Sequence, residues 1–317
     1  SKLITNPSKE VSFKKQEFAM PKPEGRLRVF MLGGSSVNYI MYLLRDLASE
    51  VTNEIGAGRQ VEIIDSGGLA YGTHRLVPVL SEVLKYDPDL IMIYSGHNEF
   101  EEAVQLQLAQ VSRLPLQKIV YKSAFCRFLR DRIASIKVSR LQRQKNKGIL
   151  SRAEADYQSG FSHKYTPAEI EERMAAYRNN LSMMISMCRS KGVPIIIGTV
   201  PSNLWKPDLS FSPFEAEVKP KIEEHYAAGR YELGVALVRE TLRKSPRHQS
   251  SDAENEIIRQ LAKDYNVPLA DVETAVIKAE PHGVPGETLF SDRCHLNEKG
   301  NEILIAAYRE KMLELLK

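Results

Sequence analysis

Five short apolar runs constrain this chain more than any other feature: residues 27–32, 61–64, 90–94, 194–200 and 267–270. Each is too short for a buried helix and lacks the polar alternation of a half-exposed strand, so each reads as a strand covered on both faces. Helix-period patterns separate them, at 37–54, 75–86, 167–191 and 253–266, and a last one closes the chain at 298–316. Strand and helix in alternation mean βαβ units and a doubly wound α/β parallel sheet. The chain has 317 residues, 43% hydrophobic and 26% charged, which suits one large α/β domain over 26–317 with insertions. No apolar run reaches the eighteen residues that a membrane-spanning helix requires.

Three motifs sit just beyond these elements. Gly33-Gly34-Ser35-Ser36 follows the first run. Its glycines permit a tight turn, and a serine opening the next helix lies beside free backbone N–H groups. That arrangement suits a nucleophile; the plainer reading is a helix N-cap, and a phosphate loop lacks its lysine and glycine spacing. Ser95-Gly96-His97-Asn98-Glu99 follows the third run at the same sheet edge, where the Asn98 amide could donate to a developing oxyanion or merely close a turn. His97 and Glu99 flank it, as substrate contacts or as locks on the loop. Asp292-Arg293-Cys294-His295 precedes the last helix. At i and i+3 a carboxylate can hold imidazole Nδ1 and leave Nε2 facing Ser35. Metal binding by Asp292 and His295 is the alternative, with no third ligand at a supporting spacing. Cys294, between them, is a second choice of nucleophile.

Taken together and in this order, the three motifs resemble the blocks of the SGNH (GDSL-type) hydrolases, and the resemblance spans about 27–316. It implies a three-layer α/β/α, flavodoxin-like fold with a five-stranded parallel sheet and helical insertions. It further implies serine-dependent hydrolysis of an acyl ester through an acyl-enzyme on Ser35, with Asp292 and His295 completing the triad and no cofactor or metal. The oxyanion hole would combine Ser35 and Asn98 with a residue of Asp65-Ser66-Gly67-Gly68-Leu69-Ala70, after the second strand. Alignment by the strand end puts the family's glycine on Ala70; a shift of two puts it on Gly68. An alanine there is expected to need negative φ and more room. Gly34, His97 and Glu99 would support substrate or loop. A small acyl ester is the expected substrate, an O-acylated sugar among them. The same residues would serve an acyltransferase, and a non-catalytic binding protein on this scaffold is the rival of another class.

The remaining segments carry secondary expectations. Residues 1–25 read as an extended arm. Residues 101–166 form a first insertion, whose stretch 127–147 holds eight Lys or Arg and one acid. It is either a contact with an anionic surface or a solvated helix packed on the core. A net charge of +4 is too mild to define a partner, and no nucleic acid is expected. Residues 202–252 form a second insertion, weakly similar to one tetratricopeptide unit and expected to cap the site, with Pro220 expected to spoil its first helix. The serine start and polar arm suit a soluble domain trimmed from an upstream membrane anchor, whereas three cysteines suit a reducing cytoplasmic compartment equally well.

Overall fold

The computed structural model describes residues 1–56, 58–101, 165–286 and 288–317. The basic stretch 127–147, and almost all of the first insertion, lie outside them. The elements are β1 (Lys2–Ile4), β2 (Glu17–Ala19), β3 (Arg26–Gly33), α1 (Ser35–Asn38), α2 (Met41–Ile55), β4 (Gln60–Gly67), α3 (Thr73–Val83) and β5 (Leu90–Tyr94). There follow α4 (Pro167–Ser190), β6 (Ile195–Gly198), α5 (Glu215–Ala227), α6 (Tyr231–Arg243), α7 (Asp252–Asp264), β7 (Leu269–Ala270), α8 (Val272–Ala279) and α9 (Glu298–Leu316).

The five expected strands are present and form one parallel sheet in the order β4-β3-β5-β6-β7. Helices α2 and α9 pack together on one face, and α3, α4 and α7 on the other. This is a three-layer α/β/α arrangement with the flavodoxin-like strand order. Val29 to Leu32 and Leu90 to Tyr94 are all at most 1% exposed, which is why both runs are apolar at every position rather than at alternate ones. Two buried tyrosines finish the carbonyl edge beyond β5: Tyr308 donates to the Ile93 carbonyl at 2.6 Å and Tyr177 to that of Ser95 at 2.7 Å. In such a sheet the first and third strands diverge at the switch point, and ligands bind in the crevice beyond their carboxyl ends. Here those strands are β3 and β5, in register with Gly33 opposite Tyr94.

Three regions differ from expectation. Residues 1–25 are not simply extended: β1 and β2 pair antiparallel, and the segment is bonded to the domain. The Gln16 side chain clamps Asp65, accepting from its N–H at 2.9 Å and donating to its carbonyl at 2.5 Å. The helix expected over 37–54 is two helices, broken at Ile40 (φ −100°, ψ 16°), with Asn38 donating to the carbonyls of Gly67 and Ser12. Pro220 does not stop α5, which runs through it. One backbone bond is lost there, but Val218, Ile222 and Tyr226 bury themselves with Val238 and Leu242 of α6 in a separate small core. Gly234 lets the helices approach, since a Cβ there would overlap the Tyr226 ring. Trp205 stacks on that same ring at 4.7 Å, so it belongs to this hairpin's packing. Among the described residues no helix is long and apolar enough to cross a membrane.

Candidate active site

The turn out of β3 sets the geometry. Gly34 is the N-cap of α1 and Ser35 is its first residue, so the Ser35 hydroxyl is not engaged in capping. It meets His295 Nε2 at 2.7 Å, across 260 positions of sequence. His295 Nδ1 lies 2.6 Å from Asp292 Oδ2. The other carboxylate oxygen, Oδ1, accepts the backbone N–H groups of Cys294 (2.8 Å) and His295 (2.7 Å), so one carboxylate shapes the turn and orients the ring together. Burial works to raise the Asp292 carboxyl's pKa. The hydrogen bonds from the His295 ring and the two backbone donors outweigh it and hold the group well below the usual carboxylate range. The turn is closed by a bridge between Phe290 and Leu296 and by Ser291 donating to the His295 carbonyl at 2.8 Å.

Asn98 arrives at the same place from β5. Its Nδ2 donates to the Tyr71 carbonyl at 3.1 Å, which leaves the second hydrogen of the amide uncommitted to that bond. The group lies hard against Gly34: a Cβ built on Gly34 would overlap Nδ2 and come within 3.2 Å of the Tyr71 carbonyl. Glycine is needed there for close approach and not for backbone conformation, since Gly34 has φ −86°.

The loop after β4 corrects two expectations. Gly68 is spent as a donor, its N–H bonded to the Gly33 carbonyl at 2.9 Å, and it is glycine because a Cβ would strike the Tyr71 ring. Ala70 does not keep negative φ; it stands at φ 57°, in the left-handed region, where an alanine costs roughly 1 kcal/mol or more. Its neighbours over-determine that conformation. Leu69 donates to the Ser12 carbonyl, Tyr71 to the Gly68 carbonyl, and the Arg75 guanidinium lies over the Tyr71 ring and donates to the Ala70 carbonyl. Among the described residues no carbonyl accepts from the N–H groups of Ala70 or Ser35.

The flanking residues hold loops. His97 is buried and its Nδ1 accepts the Ser250 N–H at 3.1 Å, tying this loop to the second insertion. Burial, then the nearby His295, lower its pKa to about 3, so it is a neutral ring. Glu99 accepts the N–H and the hydroxyl of Thr73 at 2.9 and 2.7 Å, placing a carboxylate at the N-terminus of α3. Cys294 is buried, and that burial together with the Asp292 charge raises its thiol well above the usual range, which disfavours it as a nucleophile. Its Sγ nonetheless lies 3.7 Å from His295 Nδ1, and Asp292, Cys294 and His295 bring three metal-ligating atoms within 4.8 Å of one another. Sequence spacing alone points to no third ligand for this pair.

Two participants were not singled out from sequence. Tyr39, which is exposed, sets its ring 5.2 Å from that of His295. Asn203, in the loop after β6, donates its N–H to the Arg293 carbonyl (3.0 Å) and its amide to the Asp292 carbonyl (3.3 Å), fastening the Asp-x-x-His turn to the sheet edge. Neither belongs to a motif; only the fold places them.

No protein-family model matches the chain, and no curated protein matches it. Solved structures do. An acetyl xylan esterase shares 14% identity, with a TM-score of 0.46 over 90% of this chain and 98% of that one. A GDSL-like lipase from Bacteroides thetaiotaomicron shares 12%, with 0.45 over 94% and 92%. A catalytic mutant of an acetylxylan esterase from Geobacillus stearothermophilus shares 14%, with 0.45 over 90% and 94%. At these TM-scores the likenesses carry nothing further, and the chemistry has to be read from the site itself.

Proposed function

We propose that this protein is a serine-dependent ester hydrolase of the SGNH type. The observation that carries the reading is the unbroken relay Ser35 Oγ, His295 Nε2, His295 Nδ1, Asp292 Oδ2, with links of 2.7 and 2.6 Å. Ser35 Oγ attacks an ester carbonyl while His295 Nε2 takes its proton. Asp292 keeps the other ring proton on Nδ1 and stabilises the imidazolium that forms. The tetrahedral oxygen is received by the N–H groups of Ser35 and Ala70 and the free hydrogen of the Asn98 amide. Collapse expels the alkoxide, which His295 protonates, and water attacks the acyl-Ser35 by the same path in reverse. The half-exposed Asp292 and the exposed Tyr39 leave one side of the relay open to solvent, which suits a small acyl ester and a deacylating water.

The test is labelling by a fluorophosphonate, together with turnover of a short activated ester. Wild-type protein is expected to be labelled on Ser35 and to turn the ester over. Ser35→Ala is expected to lose the label and to reduce turnover at least a thousandfold. Unchanged turnover in well-folded Ser35→Ala would sink the assignment.

A further inference from the structure

The cysteine inside the Asp-x-x-His turn has no part in the relay, yet it completes a set of metal donors. We propose that Asp292, Cys294 and His295 form a latent site for a thiophilic divalent cation, zinc above all, and that its occupation switches the relay off. The second half rests on the serine hydrolase reading; the first half does not.

The geometry is close to what zinc needs. Tetrahedral zinc with bonds of about 2.3 Å to sulfur and about 2.0–2.1 Å to nitrogen places the two ligand atoms about 3.5 Å apart. Cys294 Sγ and His295 Nδ1 are 3.7 Å apart. A nitrogen and a carboxylate oxygen on the same ion stand about 3.4 Å apart. Nδ1 and Asp292 Oδ2 are now at 2.6 Å, so Oδ2 must swing aside from Nδ1 to admit the ion, moving by at least about 0.8 Å. Asp292 is 45% exposed in its side chain, so Oδ2 can swing toward solvent while Oδ1 keeps its two backbone donors. The turn that carries the other two ligand atoms is held in shape, because Asp292 Oδ1 accepts the backbone N–H groups of both Cys294 and His295. Imidazole, thiolate and carboxylate together favour zinc over magnesium or calcium, which prefer oxygen alone. The exposed side of Asp292 leaves the fourth position to water.

Occupation changes the histidine's tautomer. A metal takes the Nδ1 lone pair, so the ring proton moves from Nδ1 to Nε2, and the Cys294 thiol proton passes to solvent. One proton leaves per ion bound. An Nε2–H facing Ser35 Oγ can no longer accept its proton, and the relay stops without any displacement of the serine.

Cadmium titration followed by the ultraviolet thiolate-to-cadmium charge-transfer band reads the site directly, without any substrate. Wild-type protein is expected to gain the band with one ion per chain, Cys294→Ala to lose it, and zinc affinity by calorimetry to fall at least tenfold in Cys294→Ala. Should that variant fail to fold, Cys294→Ser and Asp292→Asn serve instead, the former lacking the band and both at least tenfold weaker for zinc. Zinc is further expected to slow fluorophosphonate labelling of wild type reversibly, with chelator restoring it, and to slow Cys294→Ala at least tenfold less at equal concentration. An equal band and equal zinc affinity in wild type and Cys294→Ala overturn the proposal. Absence of labelling even without metal, beside a normal band, would instead defeat the hydrolase reading and leave the cation site standing.

Discussion

Gly34→Ala tests the oxyanion assignment with a single methyl group. The substitution does not strain the backbone, because φ is −86° at this position. Its effect comes from space alone: the new Cβ would overlap Asn98 Nδ2 and press the Tyr71 carbonyl at 3.2 Å. Restoring an ordinary contact of about 3.5 Å requires the amide to retreat by roughly 1 Å. The amide is anchored on its far side by its bond to Tyr71, so retreat means rotation away from the Ser35 side or loss of that bond. Either way one oxyanion donor is removed, for which the expected loss is about 2.7–4 kcal/mol of barrier, or about 10²–10³ in kcat. KM for a short activated ester should change little, because the donor acts mainly in the transition state. Steady-state kinetics beside Asn98→Ala and the double variant complete the cycle. All three should fall to a common level, the second change adding nothing to the first. A Gly34→Ala enzyme within threefold of wild type in kcat, or a double variant worse by the product of the singles, would refute the reasoning.

Other outcomes follow from the same site and its supports. Asp292→Asn keeps an oxygen for the two backbone donors but turns an NH₂ toward Nδ1, favouring the wrong tautomer; kcat is expected to fall by about 10³–10⁴ with the fold intact by circular dichroism. Asp65 is buried with Oδ2 lacking a hydrogen-bond partner among the described residues, and burial raises its pKa to about 7 despite the Gly67 N–H bonded to Oδ1 and the more distant Lys14. An acid raised in the folded state loses stability as pH rises from the unfolded value through the folded one. Asp65→Asn should therefore gain stability over wild type between about pH 4 and pH 7, by up to about 4 kcal/mol and constant above that, as read by urea unfolding at several pH values. A gain that does not grow with pH would mean that Asp65 is not the group responsible. Gly234→Leu, which drives a side chain into the Tyr226 ring, should destabilise the α5–α6 hairpin by about 1–3 kcal/mol, seen as faster proteolysis there.

Much of this arrangement was legible from residue order. The β-runs buried on both faces betrayed themselves by being apolar at every position, and the Asp-x-x-His turn needs only one local bend to bring its carboxylate and ring together. What escaped were features decided by distant partners. Ala70 adopts positive φ because Ser12, Arg75 and Tyr71 bond around it, and nothing in its own chemistry announces that. Gly68 has the right residue type for an oxyanion donor, but its N–H is taken by Gly33, thirty-five positions upstream. Pro220 breaks isolated helices, yet the buried face of α5 overrides one missing bond. Helix α8 was missed altogether, since its eight residues sit too close to β7 for a periodicity to show. Tyr39 and Asn203 reach the site only through the fold, and no spacing rule points to them.

The 260 positions between Ser35 and His295 also order events in time. Synthesis from the N-terminus completes β3, β4 and β5 early, and with them Ser35 and the donors proposed for the oxyanion. The proposed base is carried on a turn near the C-terminal end, closed by the Phe290–Leu296 bridge and fastened by Asn203, so it docks only when almost the whole chain has emerged. On the proposed mechanism a half-made chain is chemically silent even where its sheet is formed. In refolding, recovery of esterase turnover should trail recovery of helical signal, the lag reporting the closing of one long loop.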